Sequence, residues 1–139
     1  MFALFVAWLA KATVYHDGAV TVFIPLHKWP NNPGHVVIIP NEHYENIYDL
    51  PLYLATKINE CARAVALAMK ATYVCDGIST RQHNEPDGGQ DVWHYHLHVF
   101  PRYKGDLFYS THRELTTADE RDVYARKLGA QLRGWKPSV

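Results

Sequence analysis

Three histidines occupy every second position in Trp93-His94-Tyr95-His96-Leu97-His98-Val99. Polar and apolar residues alternate through this stretch, the period of a half-buried β-strand. The pattern predicts His94, His96 and His98 on one face and Trp93, Tyr95, Leu97 and Val99 on the other. Three imidazoles in a row pack poorly as core, and their donors and acceptors must be satisfied. Two chemistries fit. Neighbours on one strand face, ~6.6 Å apart at Cα, can grip one zinc with a ligand from elsewhere. In the other chemistry the central imidazole is a nucleophile. Its two neighbours hold and charge-balance an anionic substrate.

The flanking residues favour the second chemistry. Asn84-Glu85-Pro86-Asp87-Gly88-Gly89-Gln90-Asp91 is a turn-rich loop with paired glycines, which let backbone N–H groups wrap an oxyanion. Arg102 follows the histidines with a positive fork suited to phosphate. Amides, imidazoles and an arginine suit a phosphorus centre better than a metal alone.

His94-Tyr95-His96-Leu97-His98-Val99-Phe100 resembles the signature of the histidine triad (HIT) family, of bacterial type. Pro33-Gly34-His35-Val36-Val37-Ile38-Ile39-Pro40 is similar to the family's second segment. Asn84 and Gly88-Gly89-Gln90 stand where the family has its phosphate and ribose loop, and the resemblance runs from about Val14 to Arg102. It implies a nucleotide hydrolase, or less so a nucleotidyl transferase, attacking the α-phosphorus of a nucleoside phosphoramidate or dinucleoside polyphosphate. His96 would form the covalent nucleotidyl-histidine. His98 and His35 would stabilise the phosphate oxygens, and His94 would orient the site. His27 would contact ribose, and Asn84, Gly89, Gln90 and Asp91 the nucleotide, adenosine by default. The resemblance further implies a homodimer and requires no metal or other cofactor at the nucleophile. At Asp91 relatives usually carry Ser or Thr, whose hydroxyl can donate to phosphate; a carboxylate cannot. Asp91 can point away while its N–H serves the phosphate, can pair with an imidazole and hold it protonated, or can select a leaving group that is cationic or offers donors. The sharper expectation is a site tuned away from highly charged polyphosphates, and the plainer one an aspartate turned to solvent. Two rival functions remain: a metal-dependent hydrolase using His94 and His96, and a nucleotide-binding module with little turnover.

The elements that must position these groups are legible from pattern. Val14-Tyr15 and Val20 to Ile24 read as strands around an Asp17-Gly18 turn. Val36 to Ile39 is a β-branched run, hence a buried strand with His35 at its entrance. Ile58, Cys61, Ala62, Val65, Ala66 and Met69 form one apolar stripe of a helix from about Leu50 to Ala71, capped near Asp49. Ile78 to His83 predicts a strand beside the histidines, with His83 facing either site or solvent, and His43 reads as surface. Thr117-Ala118-Asp119-Glu120 is a capping box opening a helix to about Arg133. The fold class expected is α+β: an antiparallel sheet of about five strands, one long helix and a C-terminal helix.

The 139 residues predict one domain with a real core, residues 1–12 an apolar lead-in and 103–139 a C-terminal extension, its tail loose or docked on a partner subunit. Acidic and basic residues balance at 14 each, so no long-range field directs the chain to nucleic acid polymers or membranes. Met1 to Ala10 is short for a membrane span and lacks a positive leader. Cys61 and Cys75 lack CxxC spacing, giving neither a disulfide framework nor a zinc site, and a cytoplasmic location is the default.

Overall fold

The computed structural model describes residues 12–138, so the expected apolar lead-in at 1–12 falls almost entirely outside the described residues. Among the described residues seven strands and two α-helices follow in order: β1 (Thr13–His16), β2 (Val20–Phe23), β3 (His27–Lys28), β4 (Val36–Pro40), α1 (Leu52–Tyr73), β5 (Gly77–Arg81), β6 (Leu97–Arg102), β7 (Glu114–Leu115) and α2 (Ala118–Gln131), with short 3₁₀ turns at Pro86–Gly88 and Phe108–Ser110. Five form one sheet in the order β1-β2-β4-β6-β5, every neighbouring pair antiparallel. This is the expected α+β architecture. β3 and β7 make a separate two-stranded ribbon.

The turn between β1 and β2 forms because Asp17 Oδ1 accepts from the N–H groups of Ala19 and Val20, at 2.7 and 2.9 Å. One sheet face is hydrocarbon: Val20, Val22, Val36, Ile38 and Val99 are wholly buried. Against it lies α1, through Ile58, Cys61, Val65 and Met69. Each such side chain contributes about 1.5–3 kcal/mol by leaving water. The expected side-chain cap at Asp49 does not form: Pro51 is the N-cap residue and makes no side-chain cap. The capping box of α2 forms as its sequence predicts, Thr117 and Glu120 each bonding the other's backbone.

The expected loose or partner-docked tail instead folds back on its own chain. Trp135 meets the Tyr15 ring edge-on at 5.2 Å, and Ser138 bonds the Glu60 carboxylate. A cavity of about 520 Å³ lies between α1 and the C-terminal tail and one of about 540 Å³ against α2, both away from the histidines.

Candidate active site

The pairing Val37↔His98 places His98 on the sheet face opposite α1, together with His35 two residues before Val37. Gly34 sets the chain's approach to His35. Its φ is +83°, and a Cβ there would come within 2.5 Å of the Tyr73 hydroxyl and 2.7 Å of the Tyr124 ring. Only glycine fits this position. The His35 ring stacks on Phe100 at 4.5 Å, and His98 stacks on the same ring at 5.5 Å.

The histidine strand is shorter than its alternation predicts. β6 begins at Leu97, so His94 and His96 precede it, and the last pair with β4 is Ile38↔Leu97. Pro40, at the end of β4, has no N–H to extend the ladder. Its carbonyl accepts instead from His94 Nε2 at 2.8 Å, while Tyr95 N–H turns to the Tyr44 carbonyl.

That substitution fixes the tautomers. A carbonyl can only accept, so His94 carries its proton on Nε2 and its Nδ1 is an acceptor. Burial lowers the His94 pKa and keeps the ring neutral. His43 Nδ1, 2.9 Å from His94 Nδ1, must therefore donate. His43 is exposed, as its surface reading expects, yet it belongs to the site. His96 Nδ1 lies 2.8 Å from the His94 carbonyl and is a donor by the same argument. The free lone pair of His96 is left on Nε2.

His98 and His35 are held neutral. Burial, reinforced by nearby positive groups including Arg81, pushes His98 down to about 2 and His35 to about 3. Before an anion binds they are neutral dipoles, each with one N–H to donate, not the charge-balancing cations their types alone suggest. His98 Nδ1 is buried with no hydrogen-bond partner among the described residues. His96 and His98 meet edge-on at 5.1 Å.

The loop residues separate by role. Gln90 is buried, and its carboxamide is spent on the chain: Oε1 accepts from Glu85 N–H at 2.7 Å, and Nε2 donates to the Glu45 and Val92 carbonyls at 2.6 and 3.1 Å. Asn84 accepts from Ile47 N–H and exchanges bonds with Gln82. The amides of Gly88, Gly89 and Gln90 are taken by Glu85 and Pro86 carbonyls, so they form a turn rather than an open oxyanion cradle. Gly89, at φ +90°, passes so close to His83 that a Cβ would lie 2.5 Å from its Nδ1. Asp91 neither faces an imidazole nor stands free; its exposed carboxylate pairs with Arg113 at 3.5 Å. His27 is exposed on β3 and bonds none of the histidines among the described residues.

Arg102 is not the phosphate fork its position suggests. Its Nε and Nη2 clamp the Asp106 carboxylate at 2.8 and 3.0 Å, and Nη1 bonds Ser79. The guanidinium that remains at the site is Arg81, which sequence reasoning missed; its one signal was a charge on the strand that pairs with the histidines.

An imidazole with an oriented lone pair, beside a second buried imidazole whose Nδ1 has no partner among the described residues, has the chemistry to attack and hold an anionic centre. The family profile described as HIT domain matches residues 9–105. The chain belongs to the HIT family. It is 35% identical over 101 residues to Protein hit of Bacillus subtilis, covering 72% of this chain and 68% of that one. It is 34% identical over 85 residues to the bis(5'-adenosyl)-triphosphatase of Saccharomyces cerevisiae, covering 58% of this chain and 41% of the yeast protein. The fold of a Hit-like protein of Bartonella henselae involved in cell-cycle regulation superposes with a TM-score of 0.79 at 27% identity, over 93% of this chain and 95% of that one. Among the described residues no helix is long and apolar enough to cross a membrane.

Proposed function

We propose that this HIT protein hydrolyses, or transfers, the nucleotidyl group of a nucleoside phosphoramidate or dinucleoside polyphosphate through a covalent intermediate on His96. The observation that carries this reading is the hydrogen bond from His96 Nδ1 to the His94 carbonyl, which leaves Nε2 as a nucleophile. Attack forms the Nε2–P bond and breaks the bond from the α-phosphorus to the leaving group. The ring is then cationic, and its N–H to the His94 carbonyl becomes a stronger, charge-assisted bond. His98 and His35 donate to the phosphoryl oxygens, and their neutral rings gain protons more readily once the anion is present. Water attacks the same phosphorus, the Nε2–P bond breaks, and nucleoside monophosphate leaves while a proton from the water passes to solvent.

A yeast relative named as a dinucleoside triphosphatase supports the hydrolytic direction. The rival metal site on His94 and His96 needs a lone pair of His94, and its only one already accepts from His43. The single-domain reading carries over, with adenosine as the default base and a cytoplasmic location. A homodimer fits the exposed Tyr48, Leu52 and Tyr53; light scattering should give twice 16.0 kDa.

The test is incubation with adenosine phosphoramidate and with diadenosine triphosphate, following AMP release and searching by mass spectrometry for an adenylylated protein. AMP release with adenylate on His96 is expected. AMP binding without turnover would instead mark a binding module, and activity lost to a chelator would restore the metal reading.

A further inference from the structure

Arg81 stands directly opposite His98 across the β5–β6 pair, so their side chains share the face that carries His35 and Phe100. Its guanidinium carbon lies 5.6 Å from the Trp29 ring centroid, 5.6 Å from Phe100 and 5.5 Å from Phe108. Its Nε is 3.4 Å from His83 Nε2. No Asp or Glu pairs with it among the described residues. The aromatic faces attract a cation but do not neutralise it. A partly buried guanidinium left unpaired has an unmet demand for an anion. Of the loop's three carboxylates, Asp91 is offset by Arg113, Glu85 accepts from the Tyr48 hydroxyl, and none of Glu85, Asp87 and Asp91 pairs with Arg81 among the described residues. Beside burial, the Arg81 charge lowers the pKa of both His98 and His35, in keeping with its place across the strand pair from His98.

We propose that Arg81 binds the phosphate beyond the scissile bond, so that the site selects substrates whose leaving group is itself a nucleotide phosphate over those that expel a neutral amine. The inference rests on the reading of His96 as nucleophile at the α-phosphorus. When the bond from the α-phosphorus to the bridging oxygen breaks, its electron pair stays on that oxygen. The departing phosphate gains a negative charge that the planar fork of Arg81 can take in two hydrogen bonds. An amine leaves neutral after taking a proton and gains nothing from the same fork. This reverses the selectivity that Asp91 alone suggests.

The experiment compares kcat/KM for diadenosine triphosphate and adenosine phosphoramidate in wild type, Arg81→Met and Arg81→Lys. Arg81→Met should lose about ten- to a hundredfold more on the triphosphate than on the phosphoramidate. Arg81→Lys, which keeps the charge without the fork, should recover part of that difference. Equal losses on both substrates would reduce Arg81 to a packing role and overturn the proposal. Should neither variant fold, inhibition of the wild type decides: ADP at least tenfold tighter than AMP supports it, and equal affinities overturn it. A wild type that turns over neither substrate fails the functional reading instead, while ADP against AMP binding still tests Arg81.

Discussion

At one end of β6 the guanidinium of Arg102 meets a carboxylate, a hydroxyl and two aromatic rings. At the other end the guanidinium of Arg81, across from His98, meets three rings and an imidazole. Around Arg102 the charges are answered: Asp106 also accepts from Asn32 at 2.7 Å and from the N–H groups of Tyr103 and Phe108, and only the neutral Asn32 Oδ1 is left buried without a partner among the described residues of the cluster. These contacts hold the Asp106 pKa far below the usual carboxylate range, the Arg102 bond contributing most. Around His98 the demands are left open among the described residues: a buried Nδ1 without a partner, a guanidinium without a carboxylate, and the lone pair of His96 Nε2. The same sheet face thus carries a cluster whose charges are closed on each other and fix structure, and one whose charge is open and waits for a ligand. Residue type does not separate them; both hold an arginine against Phe108.

Substitutions should part the two ends. The largest effect expected is at the open end. His96→Ala should cut turnover by at least about a thousandfold while AMP binding and melting temperature stay near wild type. Retention of a tenth of the activity would remove His96 as nucleophile. At the closed end, Asp106→Ala strands a partly buried arginine and should cost about 3–5 kcal/mol of stability by urea unfolding, with activity per folded molecule preserved. A stability loss under about 1 kcal/mol would show that the cluster is ornamental.

Acid should also act on the open end first. Burial lowers the folded-state pKa of His35 to about 3 and of His98 to about 2, from 6.5 in the unfolded chain, so the unfolded chain binds more protons between those values. Stability is full above about pH 6.5 and falls as pH drops, by up to about 1.4 kcal/mol per pH unit for each group. Asp106 and Asp17, both depressed from 3.8, add their losses only at lower pH. Urea midpoints at pH 7.5, 6 and 5 read this directly; a flat profile would contradict the burial of both rings.

The smallest effect concerns Glu85, which sits at φ 65°, ψ 162°, a region nearly reserved for glycine. Glu85→Gly should relieve strain and raise stability by about 1 kcal/mol, despite the freer unfolded chain. A lower melting temperature would mean that its exposed bond with Tyr48 is worth more than the strain.

Much of the fold is legible because local pattern and tertiary role coincide. The β-branched run Val36 to Ile39 is a central strand, the stripe from Ile58 to Met69 faces the sheet, and Thr117 with Glu120 starts a helix. The site is legible by type and less so by role. Alternation overran the start of β6, because Pro40 ends the ladder from the neighbouring strand and nothing in residues 93–96 records that. Arg102 looked available and Arg81 unremarkable, because the difference lies in which one a carboxylate reaches. His43 was invisible because its partner lies 51 residues away. Gln90 was identified as a site residue, yet its carboxamide serves the loop, a distinction that only hydrogen-bond geometry makes.

The bond that orients His96 has its acceptor on the main chain, two residues back. No codon change can delete that oxygen. Drift at position 94 alters a side chain and leaves the acceptor in place, so the aim of the nucleophile is insulated from ordinary mutation, and only a change in the path of the backbone can redirect it. An amide-to-ester replacement between residues 94 and 95, which weakens the carbonyl and also removes the Tyr95 N–H that bonds Tyr44, would reach what genetics cannot once compared with an ester between residues 44 and 45 that perturbs the Tyr44 side of that second bond.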